Sequence, residues 1–163
     1  MKTAILIVIG ALNLFGENEF SNRRAPGFSL ADSKFQQHDP QDYRGKVMII
    51  DFMQTTCPVC VRLTDALREV KATYGDKVAI LSITTLPDTF EKADRFSVEH
   101  RISWPVLFDS GQVMMSYLNV TPAHPQVKFP HLFIVDASGT IRYDFEGAAD
   151  AAEISADIDK IMK

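Results

Sequence analysis

Val47-Met48-Ile49-Ile50-Asp51-Phe52-Met53-Gln54-Thr55-Thr56-Cys57-Pro58-Val59-Cys60 is the stretch on which the reading of this chain turns. Val47–Met53 is a short apolar run, as expected of a strand covered on both faces. From Pro58 to Tyr74 the apolar positions Leu63, Leu67, Val70 and Tyr74 recur at helical spacing, and Gly75 supplies a stop. The two cysteines therefore lie where a strand gives way to a helix. A cysteine at a helix N-terminus meets unpaired backbone N–H groups and the positive end of the helix dipole, and both favour thiolate over thiol at Cys57. Pro58 suits the first turn, where its missing N–H costs nothing. Cys60 stands three residues on, so its sulfur can reach that of Cys57. It also shares a helix face with Leu63 and Leu67, which points it inward. Cys57 is thus read as the exposed nucleophile and Cys60 as the sheltered resolving thiol.

Asp51 interrupts the apolar run six residues before Cys57. A buried carboxylate is costly and either stays neutral or finds a partner. Burial would raise its pKa and make Asp51 an acid/base near neutral pH, beside the dithiol; the alternative is a strand-end carboxylate facing water. A Cys-x-x-Cys is also half of a zinc site, but the chain has only these two Cys. Only His38, His100, His124 and His131 could complete such a site, and none forms a closely spaced pair. Redox chemistry is the favoured reading, with metal binding and inert thiols as the others.

The pattern around this stretch alternates. Residues 78–83 read as a second apolar strand, 88–99 as a helix, 105–108 as a strand and 112–118 as a short helix. Residues 132–135 and 141–145 read as strands joined by Asp136-Ala137-Ser138-Gly139, hence an antiparallel hairpin. A last helix starts near Asp150, with Glu153 as its capping-box partner and Ile154, Ile158 and Ile161 on its buried face. This order predicts an α/β sandwich with a central mixed sheet flanked by helices. Phe129-Pro130 precedes the strand at 132, where a proline belongs at a strand start or edge. Spacing alone does not make that bond cis.

The 163 residues suit one domain, and 46% hydrophobic with 23% charged residues is a globular balance. A net charge of −4 argues against a general nucleic-acid binder. Two Cys are too few for a disulfide-rich scaffold. Met1-Lys2 and the apolar run to Gly16 resemble a secretory signal, although 14–16 offer no small-x-small cleavage pattern. The run is shorter than the ~20 residues of a relaxed membrane span. Residues 1–16 are expected to export or anchor the chain, with a buried element of the mature fold as the alternative. Residues 17–24, ending in Arg23-Arg24, read as a polar linker, and 25–163 as the domain. A periplasmic or otherwise extracytoplasmic location follows from that expectation.

Together these segments resemble the thioredoxin fold, and within it the TlpA/ResA-like thiol–disulfide oxidoreductases of the AhpC/TSA-redoxin superfamily. The resemblance runs from about Ala25 to Lys163 and rests on Ala25-Pro26-Gly27-Phe28-Ser29-Leu30, which looks like the family's first strand. It rests further on Tyr43-Arg44-Gly45-Lys46, Cys57-Pro58-Val59-Cys60, Trp104-Pro105-Val106-Leu107-Phe108-Asp109, Phe129-Pro130 with Leu132-Phe133-Ile134-Val135-Asp136, and Gly139-Thr140-Ile141. It implies a thioredoxin-like three-layer sandwich, a cis-proline at Pro130 facing the Cys pair, and backbone hydrogen bonds from Phe129 to a bound peptide. Asp51 would take the place of the buried Asp of thioredoxins, and 88–99 would belong to the family's central insertion. Thr56 stands where the family has Trp, Met53-Gln54-Thr55 replaces Trp-Ala-x, and the loop 121–128 is longer than the family's pattern. His131, directly after Pro130, could tune the thiols or ligate a metal.

The expected chemistry is thiol–disulfide exchange, with the chain acting as a reductase of protein disulfides. Cys57, Cys60 and Asp51 would be catalytic, and Thr56, Pro58, Val59, Phe129 and Pro130 would meet substrate. No metal or organic cofactor is expected. The expected partners are protein disulfide or dithiol substrates and a redox partner protein, with the chain itself a monomer. The alternatives are a copper chaperone on the same fold, using Cys57, Cys60 and His131, and a peroxiredoxin-like peroxidase. Against the latter, Gln54 and Ile50 stand where that signature has Thr and Pro. A non-catalytic interaction domain, its thiols incidental, is the third.

Overall fold

A computed structural model describes residues 20–163. The signal-like segment 1–16 and the first residues of the linker reading lie outside the described residues. Strands β1 (Arg23–Arg24), β2 (Leu30–Ala31), β3 (Gln37–His38), β4 (Val47–Met53), β5 (Val78–Thr85), β6 (Val106–Asp109), β7 (His131–Val135) and β8 (Thr140–Glu146) are joined by helices α1 (Pro58–Tyr74), α2 (Phe90–Glu99), α3 (Gln112–Tyr117) and α4 (Ala151–Ile161). Six strands form one sheet in the order β1-β8-β7-β4-β5-β6. β4 runs parallel to β5, and β5 to β6, through helical crossovers. β7 lies antiparallel to β4 and β8, so the sheet is mixed.

β4 sits at the centre because all seven of its residues are buried and both faces are apolar. Its side chains alternate between two cores. Val47 and Ile49 join Leu63, Leu67 and Val70 of α1 and Ile154 and Ile158 of α4. Met48, Ile50 and Phe52 join Phe28, Tyr117 and Phe133 on the other face. Met53 returns to the first side, against Cys60 of α1 and Phe96 of α2. Asp51, between Ile49 and Met53 in the alternation, shares that side. The three layers are helices, sheet and helix, as the α/β reading requires.

Three expectations need correction, and one cis bond was not anticipated. Arg23–Arg24, the end of the linker reading, form a strand paired with Ile141 and Thr140. An edge strand with free N–H and C=O groups recruits a partner, and the Arg23 guanidinium secures it by donating to the Tyr117 carbonyl. The expected first strand at 25–30 is mostly irregular; only Leu30–Ala31 is a strand, and it pairs with β3 outside the main sheet. Pro26 has no N–H to give a ladder, and its carbonyl accepts the Tyr117 hydroxyl at 2.9 Å. The helix expected from residue 88 begins at Phe90 with Thr89 as its cap, because Asp88 serves elsewhere. Finally, the Leu86–Pro87 bond is cis as well as Phe129–Pro130.

Candidate active site

Cys57 caps α1. Its backbone is extended and its Sγ accepts the Cys60 N–H at 3.2 Å, so the sulfur itself satisfies one of the helix's unpaired donors. The Cys57 thiol also points at the Phe129 carbonyl, 3.9 Å away. Cys57 is half-buried, Cys60 is 1% exposed, and both are free thiols. Burial pushes the Cys60 thiol far above the ordinary cysteine range, with the Cys57 sulfur and the Asp51 carboxyl adding to the rise. An accessible sulfur at a helix N-terminus and a sheltered thiol one turn on is the asymmetry expected from the spacing. Around them Thr56 and Pro58 are exposed, Val59 is half-buried, and cis-Pro130 is buried behind half-buried Phe129. Of the two thiols, Cys57 is the one that solvent reaches.

Asp51 is 1% exposed, so the water-facing alternative does not hold. Burial raises its pKa to about 7, against a partial lowering by the Ser82 hydroxyl, which donates to Oδ2 at 3.2 Å. The Ser82 oxygen in turn accepts the Trp104 indole N–H at 2.9 Å. Asp51 Oδ1 has no hydrogen-bond partner among the described residues. A carboxyl that titrates near neutrality beside a high-pKa thiol can take or return that thiol's proton.

His131 does not belong to this arrangement. It pairs with Phe52 in the β4–β7 register, and its ring stacks on Phe133 at 4.6 Å, in the core on the sheet's other face. Its Nε2 lies 3.1 Å from Asp144 Oδ2. A copper or zinc site of Cys57, Cys60 and His131 is therefore not assembled, and the described residues hold no group of three His, Cys, Asp or Glu placed to bind a metal. His131 likewise cannot touch the thiols. The loop 121–128 closes on itself through Thr121 and His124, at 2.9 and 3.3 Å, and meets the dithiol through Phe129.

One residue of the site escaped the sequence. Asp88, 1% exposed, accepts the Thr55 N–H at 2.8 Å and the Thr55 hydroxyl at 2.6 Å. With the Cys57 N–H donating to the Gln54 carbonyl at 3.1 Å, it fixes the turn that delivers Cys57 to the helix. The only available signal was an acidic residue after Leu86-Pro87, which reads equally well as a helix start.

Known proteins resemble this chain in sequence and in fold. Residues 22–144 match the AhpC/TSA family. The thiol-disulfide oxidoreductase ResA of Geobacillus kaustophilus is 25% identical, over 99% of this chain and 94% of that protein. The thioredoxin-like protein YneN of Bacillus subtilis is 27% identical, over 84% of this chain and 78% of its own length. Among solved structures, a thiol:disulfide interchange protein of the thioredoxin family from Chlorobium tepidum superposes with a TM-score of 0.75 at 19% identity, covering 87% of this chain and 97% of that one. That likeness shows the thioredoxin-like fold.

Proposed function

The chain belongs to the AhpC/TSA family, and from that premise we propose that it is a thiol–disulfide oxidoreductase that reduces protein disulfides through Cys57 and Cys60. Cys57 thiolate attacks a substrate disulfide, one substrate sulfur leaves, and a mixed disulfide forms. Cys60 then passes its proton to the Asp51 carboxylate and attacks the Cys57 sulfur. The Cys57–Cys60 disulfide forms, and the second substrate sulfur leaves as thiolate. Two electrons have moved from the dithiol to the substrate, and a redox partner protein must return them. Thr56, Pro58 and Val59 line the approach, and the backbone at Phe129 and Pro130 holds the substrate chain.

The observation that carries this reading is the pairing of half-buried Cys57 at the helix N-terminus with buried Cys60 beside buried Asp51. The names of the relatives support an oxidoreductase acting on thiols and disulfides. Work outside the cytoplasm, with residues 1–16 directing export or anchoring, is part of the proposal. Among the described residues no helix is long and apolar enough to cross a membrane.

Two variants test it. Cys57→Ser should abolish reduction of a disulfide substrate. Cys60→Ser should accumulate a mixed disulfide on Cys57, visible by mass spectrometry and cleared by dithiothreitol. Full turnover by Cys57→Ser would sink the reading, and rapid consumption of hydrogen peroxide by Cys57 would favour the peroxidase instead. The direction is set by equilibration against glutathione or dithiothreitol buffers. A potential near that of thioredoxin, about −270 mV, fits a reductase, and one nearer about −120 mV fits an oxidant.

A further inference from the structure

Ser82 lies opposite Asp51 in the β4–β5 register, fully buried. Its hydroxyl has one proton to give and lone pairs to receive. Trp104 reaches it from just before β6, 2.9 Å away through Nε1. An indole N–H can only donate. The Ser82 oxygen is therefore the acceptor of that bond, and its own proton is directed to its other neighbour, Asp51 Oδ2, at 3.2 Å. The direction of the chain, Trp104 to Ser82 to Asp51, follows from the chemistry of its first member.

We propose that Ser82, oriented by Trp104, is a positioning residue that reserves Asp51 Oδ2 as a permanent acceptor and leaves Oδ1 as the oxygen that exchanges a proton with Cys60. Because Ser82 always donates, it stabilises the ionised carboxylate more than the neutral acid. Oδ1, buried and without another partner among the described residues, is where the acid proton sits. In the resolving step the proton leaves the Cys60 thiol for Oδ1, and the reverse transfer accompanies reopening of the disulfide. The groups around Asp51 leave these two hydrogen bonds as its polar setting. The start of α1 offers Cys57 at its cap and Cys60 in its first turn, β5 offers Ser82 and Thr84, and β7 offers Leu132. His100, the residue that caps the end of α2, packs its ring on Phe96 with the centroids 4.2 Å apart. The inference rests on Asp51 as the proton carrier proposed above.

The test uses the full chain, reduced with dithiothreitol, and a disulfide substrate. Removing a donor to the carboxylate should move the midpoint of the pH–rate profile upward by roughly one pH unit in Ser82→Ala. Trp104→Phe, which frees the hydroxyl to turn away, should move it in the same direction by less. Trp104 is the only tryptophan, so intrinsic fluorescence reports on one end of the chain. Its emission should titrate with a midpoint near neutrality in the unaltered protein and lose that transition in both Asp51→Asn and Ser82→Ala. An unchanged pH–rate midpoint in Ser82→Ala overturns the inference. A wild-type profile in Asp51→Asn sinks the proton-carrier reading itself, so the two failures are distinguishable. Should Ser82→Ala fold poorly, Ser82→Thr and Ser82→Val form a pair of equal shape. Only the threonine should keep the wild-type midpoint, and identical midpoints in the two would again overturn the proposal.

Discussion

In the proposed mechanism Asp51 trades stability for chemistry. Its pKa stands at about 7 in the folded chain because burial disfavours the charged form, and it returns to the ordinary carboxylate range on unfolding. Between those two values the folded state binds the extra proton, so stability is full at acid pH and falls as pH rises toward about 7. Three pH units at about 1.4 kcal/mol each bound the loss at roughly 4 kcal/mol. Asp51→Asn should therefore be more stable than the unaltered protein at pH 8, by up to that amount, and the difference should shrink at pH 4. Urea denaturation at the two pH values measures it, and equal midpoints at both would contradict the burial argument. The same substitution should slow the resolving step at neutral pH by about 10²-fold, the low end of general acid–base contributions.

At the level of elements, the junction between β4 and α1 carries the proposed chemistry. The strand stops at Met53, Gln54 opens a turn, and Cys57 begins the helix. The Cys57–Gln54 backbone bond closes this turn locally, and Asp88, from the segment between β5 and α2, anchors it to the rest of the fold through two bonds to Thr55. Charge-assisted bonds of this kind are short and strong. Asp88→Ala should cost about 2 kcal/mol of stability and slow formation of the mixed disulfide on Cys57. The later attack by Cys60, which sits inside the helix, should keep its rate. Stopped-flow alkylation of Cys57 and rapid-quench trapping of the mixed disulfide separate the two steps. Equal slowing of both would mean that Asp88 acts on the whole helix and not on the turn.

Across the whole molecule the central sheet separates two cores, one under α1 and α4 and one around Tyr117 and Phe133. Leu67 and Leu107 are fully buried in different cores. Leu67→Ala and Leu107→Ala should each cost about 2–5 kcal/mol. Their effects should add to within about 0.5 kcal/mol, because the two cores share no side chain. A larger coupling in the double variant would show strain passing through the sheet. The same two-sidedness decides the fate of His131. Adjacent residues on a strand face opposite ways, so Leu132 joins the α1 core while His131 joins Phe133 and Asp144. A histidine next to the cis-proline in sequence is thereby placed on the far side of the sheet from the thiols.

Much of this protein was legible locally. The period of the apolar positions marked β4, α1 and α4 at or within a residue of their ends, and Asp150 and Glu153 form the expected capping box. The helix-start position of Cys57, the inward face of Cys60 and the cost of burying Asp51 follow from residue types and spacing, because they depend on one strand and the helix after it. The facing of His131, the bonds of Asp88 to Thr55, the Trp104–Ser82–Asp51 chain and the recruitment of Arg23–Arg24 to the sheet were not legible. Each joins atoms from segments far apart along the chain. Such partners are decided by strand register and by which face of the sheet each side chain meets, and a shift of one residue in register would reverse that facing. The local sequence determined a dithiol at the start of a helix beside an acid; only the packed sheet decided which hydroxyl, which indole and which second carboxylate hold that site in place.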